Sequence, residues 1–317
     1  MSRGLTRQGK VFAEQMDGES LDVFSPRCIA PTTGEMNKLN GEVDEFVRFL
    51  QQRFSTPPHT VSKVIKAGSL GKGTAVRGSA DIDLVMYLNN VSDIYTLIRL
   101  REPVLDRLQE AITIYSPWQR RISFKKRTPF SVTYILDGNE VDLLPAFAMD
   151  HTNDTRNRDL MYKHMEAVAE KEGMSFVAQQ FSASLAPLQV TFVKHKDESV
   201  KKVIRLLKKW KQERGVDDLR SYTLELLTIY AAKQVGRQIS TDDLFVKVLG
   251  MLRDIRSQKG MYFEDNYPVY PGQPGSKFSH SHPCLLDVAN FYNDMLHGVN
   301  KERVSQHASD ILRQLQR

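Results

Sequence analysis

The sequence predicts an α+β protein of two lobes, and three observations carry that reading. Strand-like segments are confined to residues 61–147, and helical periodicity takes over after about residue 155. Between two of the strands, "AGSLGKGTAVRGSADIDLVMYL" (67–88) leads a Gly-, Ser- and Thr-rich turn into Asp81-Ile82-Asp83 at the mouth of an apolar run. The expected division is a flexible tail over 1–20, a mixed α/β N-lobe with a central sheet over 21–155, and a helical C-lobe over 156–317. A cleft between two such lobes is where a ligand is expected.

The elements follow in order. Leu39, Val43, Phe46, Val47 and Leu50 recur at three- and four-residue steps, so 39–54 predicts a helix that "STPPHT" stops. "VSKVIKAG" (61–68) and "DIDLVMYLN" (81–89) read as strands on either side of the Gly-rich turn. Residues 91–115 are helical, with Pro103 expected to kink or divide the helix. Three strand-like runs follow, 121–127, 129–137 and 139–147. Asp137-Gly138-Asn139 is a turn suited to a hairpin between the last two. Helices are then expected over 157–171, 175–195, 198–214, 219–235, 241–256 and 300–316, the last free to pack back on the N-lobe. The Gly- and Pro-rich stretch 266–283 reads as a surface loop. Its His280-Ser281-His282 is read as two solvated histidines rather than a metal tract.

Composition narrows the class. The 317 residues are 41% hydrophobic and 26% charged, ordinary for a soluble globular protein. No apolar run approaches the roughly 18 residues a membrane span needs. The polar, basic start "MSRGLTRQGK" gives no secretory signal, and Ser2 and the terminal "RQLQR" give no lipidation motif. Cys28 and Cys284 are too few for a disulfide framework or a cysteine-built zinc site, and they suit a reducing, cytoplasmic setting. The net charge of +6 is unevenly spread: residues 194–214 hold nine Lys or Arg against three Asp or Glu. Such a run suggests an anionic partner, phosphate or nucleic acid, or else a solvated helix face.

The chemistry is carried by carboxylates. Residues two apart on a strand share a face, so Asp81 and Asp83 point the same way. Burying both is costly, and like charges must share a proton or be held by a cation. For an all-oxygen site that also meets phosphates the fitting cation is Mg²⁺. Asp142, embedded in "NEVDLLPAF", offers a third carboxylate on a neighbouring strand. Three such groups can cradle two metal ions, the arrangement that clamps both oxygens in phosphoryl transfer. Gly68-Ser69 closes one strand and opens a short helix, whose N–H groups and Ser69 hydroxyl can hold the phosphates of a nucleoside triphosphate. "GSLGKGT" lacks the spacing of a Walker A loop. On helix 198–214, Val200, Val203, Ile204, Leu207 and Trp210 form an apolar stripe. Lys201, Arg205 and Lys208 flank it, and Lys202 and Lys209 lie further toward solvent. Tyr222 either stacks on an adenine or is a half-buried helix tyrosine.

The order Gly-Ser, Gly-Thr, Ser-x-Asp-x-Asp-Leu and a later strand Asp resembles the DNA polymerase beta-like nucleotidyltransferases. "VSKVIKAGSLGKGTAVRGSADIDLVMYL" and "EVDLLPAF" resemble, more finely, signatures of the 2′-5′-oligoadenylate synthases. "IRLLKKW", "SYTLELLTIYA" and "PCLLDVAN" resemble further ones, and the similarity runs from about Leu21 to about Gly298. The resemblance implies a bilobal nucleotidyltransferase fold that joins ATP into 2′-5′-linked oligoadenylates on binding double-stranded RNA, as in antiviral innate immunity. It implies Asp81, Asp83 and Asp142 as ligands of two Mg²⁺ ions, with Asp142 taking the 2′-hydroxyl proton. It implies Gly68, Ser69, Arg205, Lys208, Ser221 and Tyr222 around ATP. Ser221 stands where the family typically has Gln, so one donor contact is shortened or lost. For RNA, Asn40, Lys66 and Lys194 match the family, whereas Gln51, Val190, Glu198 and Ser199 depart from it. A rearranged basic surface of Lys63, Lys66, Lys196, Lys201 and Lys202 would then carry the contact. A cyclic-dinucleotide synthase of the related immune-sensor type and a catalytically silent nucleic-acid-binding relative are the other expectations open at this point.

Overall fold

The computed structural model describes residues 10–114, 120–149, 155–235, 239–263 and 283–316. His280, His282 and nearly all of the expected loop 266–283 lie outside them. The described residues fall into two compact units, one drawn from Pro31–Lys194, the other from Met1–Ala30 with His195–Arg317.

The chain opens in the second of these with a short helix, α1 (Leu21–Phe24), that runs on into a π-helical turn, Ser25–Ile29. It then enters the sheet unit through α2 (Thr33–Arg53). Thr32 and Glu35 start α2 as a capping box: the Thr32 N–H donates to Glu35 Oε2 at 2.6 Å and the Glu35 N–H to Thr32 Oγ1 at 3.2 Å. Two of the orphan donors at the helix start are satisfied in this way. Val43, Phe46 and Leu50 are fully buried along α2, on the face the periodicity predicts. There follow β1 (Val61–Lys66), α3 (Gly68–Lys72), β2 (Ile82–Leu88) and α4 (Ile94–Ile114). Next come β3 (Ile122–Arg127), β4 (Val132–Leu136) and β5 (Asn139–Phe147), then α5 (Thr155–Glu172), α6 (Met174–Gln180) and α7 (Ala186–Lys194). Pro103 lies inside α4 without dividing it.

The five strands order β1-β2-β5-β4-β3. β2 and β5 are parallel and every other pair is antiparallel. Asp137 and Gly138 turn β4 into β5, both with positive φ, the conformation tight hairpins favour. On one face of the sheet Ile82, Leu84, Val141 and Leu143 are buried, and α4 packs on β4 and β5. On the other face Val85, Tyr87 and Ala146 pack with Ala67 and Ala186 in one apolar cluster, and Val190 borders it. Val190, one of the positions that departs from the family's RNA contacts, therefore faces the core.

In the second unit the chain forms α8 (Glu198–Glu213), α9 (Ser221–Val235), α10 (Thr241–Arg253) and α11 (Lys301–Gln316). The N-terminal segment is built into it. Phe12 stacks on Phe24 with centroids 5.0 Å apart and lies 6.1 Å from Phe245 of α10. Asp22 accepts hydrogen bonds from Lys202 of α8 and Thr241 of α10.

Four expectations are corrected. Residues 10–20 are not a flexible tail, because Val11, Phe12 and Gln15 are buried. The division falls at Lys194, not near 155, since α5, α6 and α7 complete the sheet unit. The expected helix 175–195 is broken between α6 and α7. There the Ser184 carbonyl accepts from Tyr87 Oη at 3.2 Å, and Ser184 Oγ accepts from the Phe147 N–H at 3.2 Å. The Tyr87 bond takes the Ser184 carbonyl that a continuing helix would use, the Phe147 bond anchors its side chain to the sheet, and Pro187 restarts the helix in its first turn, where its missing N–H costs nothing. Finally, α11 packs on α10 within its own unit. Among the described residues no helix is long and apolar enough to cross a membrane.

Candidate active site

The Gly-Ser turn is stitched to the entry of β2. The Ala67 N–H donates to Asp83 O at 2.7 Å and the Ser69 N–H to Asp81 O at 3.0 Å. Ser69 Oγ also accepts from the Asp81 N–H at 2.9 Å and donates to Asp81 O at 3.1 Å. Gly68 has φ +61°, and a Cβ there would lie 2.5 Å from Asp81 O and 2.8 Å from Asp83 Oδ2. Only glycine allows both that backbone angle and that closeness. At Gly71, one turn on, closeness alone requires glycine, since a Cβ would lie 2.1 Å from Lys66 O. Ser69 is buried at 3% exposure. Its N–H and hydroxyl, expected to face a triphosphate, here hold Asp81 in place.

Register brings two of the three aspartates together. Asp83 of β2 and Asp142 of β5 are Cα partners across the parallel pair, so their half-buried side chains share a face about 4.8 Å apart at the backbone. Asp142 is in turn the partner of Thr133 on β4, whose hydroxyl donates to Asp142 Oδ1. Thr133 is fully buried. That bond fixes one carboxylate oxygen and leaves the other, and the residue is one that sequence reasoning missed. Asp81, one residue ahead of β2, is exposed. Among the described residues no three His, Cys, Asp or Glu side chains are gathered as a metal-holding group. The expected three-carboxylate cradle is represented by a registered pair, with Asp81 at its margin. Oxygen donors alone, in an adjacent pair, suit a hard cation such as Mg²⁺, which takes one or two carboxylates with substrate phosphates, rather than Zn²⁺.

The remaining sequence-derived candidates divide by unit. In the sheet unit Lys66 Nζ lies 2.8 Å from Asp44 Oδ1 and donates to Asn40 Oδ1 at 3.2 Å, both on α2. Lys63 lies over the Tyr87 ring at 4.9 Å, on the opposite face of β1. Lys194 ends α7 and is exposed. In the helical unit Lys208 is buried in an ion pair, its Nζ 2.6 Å from Glu225 Oε1, with side chains 7% and 2% exposed. Arg205 Nη1 lies 2.5 Å from Glu198 Oε1. Lys201 is half-buried, and Lys202, expected toward solvent, pairs with Asp22 because the N-terminal segment lies against α8. Ser221 opens α9, and the half-buried Tyr222 beside it donates its hydroxyl to the buried Asp287 at 3.0 Å.

A mixed sheet that presents paired carboxylates on adjacent strands beside a Gly-Ser turn defines a nucleotidyltransferase. Residues 43–144 match the family described as nucleotidyltransferase domain. Residues 156–316 match 2′-5′-oligoadenylate synthetase 1, domain 2, C-terminus, and the chain belongs to the 2′-5′-oligoadenylate synthase family. It is 28% identical over 303 residues to 2′-5′-oligoadenylate synthase 1A of Mus musculus, covering 86% of this chain and 80% of the relative. A second mouse relative, the inactive 2′-5′ oligoadenylate synthetase 1C, is 22% identical and covers 87% and 84%. Among solved structures, E. coli MS115-1 CdnC with ATP has the same fold, with a TM-score of 0.61 at 19% identity over 92% of this chain and 88% of that one.

Proposed function

We propose that this chain is an active 2′-5′-oligoadenylate synthase, which transfers the adenylyl group of ATP to the 2′-hydroxyl of an adenylate and releases pyrophosphate. The observation that carries the reading is the registered Asp83–Asp142 pair with Thr133 bonded to Asp142. Asp81, Asp83 and Asp142 would hold Mg²⁺, which when bound neutralises phosphate charge. Asp142 takes the proton of the attacking 2′-hydroxyl. A new bond forms from that oxygen to the α-phosphorus as the bond from the α-phosphorus to the pyrophosphate oxygen breaks. Thr133 is the positioning residue: by holding Oδ1 it turns Oδ2 toward the proton. Gly68 gives the donor phosphates close backbone approach, with Ser69 behind it, and Arg205, Lys208, Ser221 and Tyr222 are proposed around the nucleotide as the family resemblance implies. Double-stranded RNA is the proposed activator, contacted through Asn40, Lys63, Lys66, Lys194, Lys201 and Lys202.

The test is incubation of the purified chain with ATP and Mg²⁺, with and without duplex RNA, and digestion of the products by nucleases selective for 3′-5′ bonds. Resistant linear oligomers are expected. Asp142→Asn is expected to lower the rate by about 10²–10⁴-fold, the usual worth of a positioned proton acceptor, while leaving the melting temperature unchanged. Cyclic products would instead assign a cyclic-dinucleotide synthase. No turnover with RNA binding retained would assign a silent relative.

A further inference from the structure

A single transverse row of the sheet runs from the carboxylates to its edge. Asp83 of β2 is the partner of Asp142 of β5, Asp142 of Thr133 on β4, and Thr133 of Lys126 on β3. Partners in register share a face, and the Thr133–Asp142 hydrogen bond shows it for the inner pair. The neighbouring residue confirms it for Lys126. Arg127 reaches the opposite face, where its guanidinium meets Glu102 at 2.6 Å and Asp106 at 2.7 Å on α4. Lys126 therefore lies on the carboxylate face. The register shift between Phe124 and Lys126 makes this so: Lys125 is the extra residue of a bulge, and it pairs with Glu140. Bulges of this kind re-aim side chains beside active sites.

The three basic residues of β3 thus have different situations. Lys125 and Arg127 are committed to carboxylates, whereas among the described residues Lys126 makes no ion pair and is exposed. Its Cα is about 10 Å from that of Asp142, two strand spacings away, and its four-carbon stem can reach back along the row. We propose that Lys126 is the contact for the 5′-phosphate of the acceptor adenylate, and so a specificity-determining residue for acceptors that carry one. This rests on the reading above that Asp142 takes the acceptor's 2′-proton. A ribose with its 2′-oxygen at Asp142 and its donor on the Asp83 side places its own 5′-phosphate one sugar away, over β4 toward the sheet edge. Two lysines of β3 serve that face: Lys125 is held by Glu140, two residues before Asp142 on β5, and Lys126 is the one that makes no ion pair among the described residues.

Binding tests this apart from turnover. A fluorescently labelled, 5′-phosphorylated 2′-5′-linked adenylate trimer is titrated by anisotropy against the wild-type chain, Lys126→Ala, Lys126→Arg and the control Lys125→Ala, at several salt concentrations. Lys126→Ala is expected to bind about five- to tenfold more weakly, with the salt slope lowered by about 0.7, the worth of one single-strand phosphate contact. Lys126→Arg and Lys125→Ala are expected to stay close to wild type. An unchanged affinity and slope in Lys126→Ala, an equal loss in Lys125→Ala, or a wild-type chain that does not bind the trimer overturns the proposal. A wild-type chain that binds the trimer through Lys126 yet forms no product from ATP overturns the catalytic reading alone.

Discussion

Thr133 shows how one hydroxyl can decide what a carboxylate does. A carboxylate can rotate to present either oxygen, and the Thr133 hydroxyl on Oδ1 of Asp142 removes that freedom. Thr133→Val keeps the shape and β-branch of the side chain and deletes the donor. It is expected to lower kcat by about 10–100-fold, the range for outer groups that orient the ligands of a metal site. KM for ATP should stay near wild type and Thr133→Ser should recover most of the rate; a Thr133→Val variant with wild-type kcat would make the bond incidental. Nothing in the sequence marks this threonine, which is an ordinary β-branched residue in a strand. Asp83 and Asp142 stand out as candidates in the sequence because charge inside an apolar run is costly and therefore conspicuous, whereas Asp81, equally visible there, lies exposed ahead of β2. Thr133 and Lys126 become visible only through register, which a strand's own residues do not specify.

Among the elements, α8 was read most fully from its pattern, and also departs from it most instructively. Its amphipathic spacing is there, with Val203, Ile204, Leu207 and Trp210 all buried. Lys208, placed by spacing on a basic stripe, is buried as well, because Glu225 of α9 meets it. Breaking a buried pair from one side leaves an uncompensated charge, so Lys208→Met is expected to cost about 3–5 kcal/mol. Lys208→Met combined with Glu225→Leu should restore most of that, measured by urea unfolding; a double variant as unstable as the single one would show that the pair is not the cause. KM for ATP in the restored double variant then separates a nucleotide contact from a packing role. The strands were legible for a different reason. β5 spans the expected 139–147 because the Asp-Gly turn fixes its start, and β2 follows the apolar run closely. The break between α6 and α7 was not legible, since it is held by bonds from Tyr87 and Phe147, far away in the chain.

At the scale of the whole molecule, the unexpected feature is the segment 10–30. Its apolar positions are too sparse to show a period, yet Phe12, Leu21, Phe24 and Ile29 are buried. Phe12 touches the helical unit through Phe245. Phe12→Ala is expected to destabilise that unit by about 3–5 kcal/mol, seen as faster amide hydrogen exchange in α10 with the strands of the sheet unit unaffected. Equal loss of protection in the strands, or none in α10, would contradict the division into two units. The Asp22 carboxylate points the same way: the Lys202 and Thr241 hydrogen bonds hold its pKa below the ordinary value. The stabilisation it gives is present above the unfolded pKa and lost as the pH falls through the folded one, so acid should loosen this attachment only below the ordinary carboxylate range.

The helical unit is thus discontinuous, left at Ala30 and resumed at His195. On the ribosome residues 10–30 are made before their binding site on α8 and α10, by an interval on the order of ten seconds at usual rates of synthesis. The sheet and its carboxylates can settle during that interval, whereas the helical unit closes only when α8 and α10 meet the segment before Ala30. A nascent chain halted before Thr241 would hold Phe12 and Phe24 without the surface that covers them, an exposed apolar handle by which chaperones or proteases can distinguish unfinished copies from finished ones.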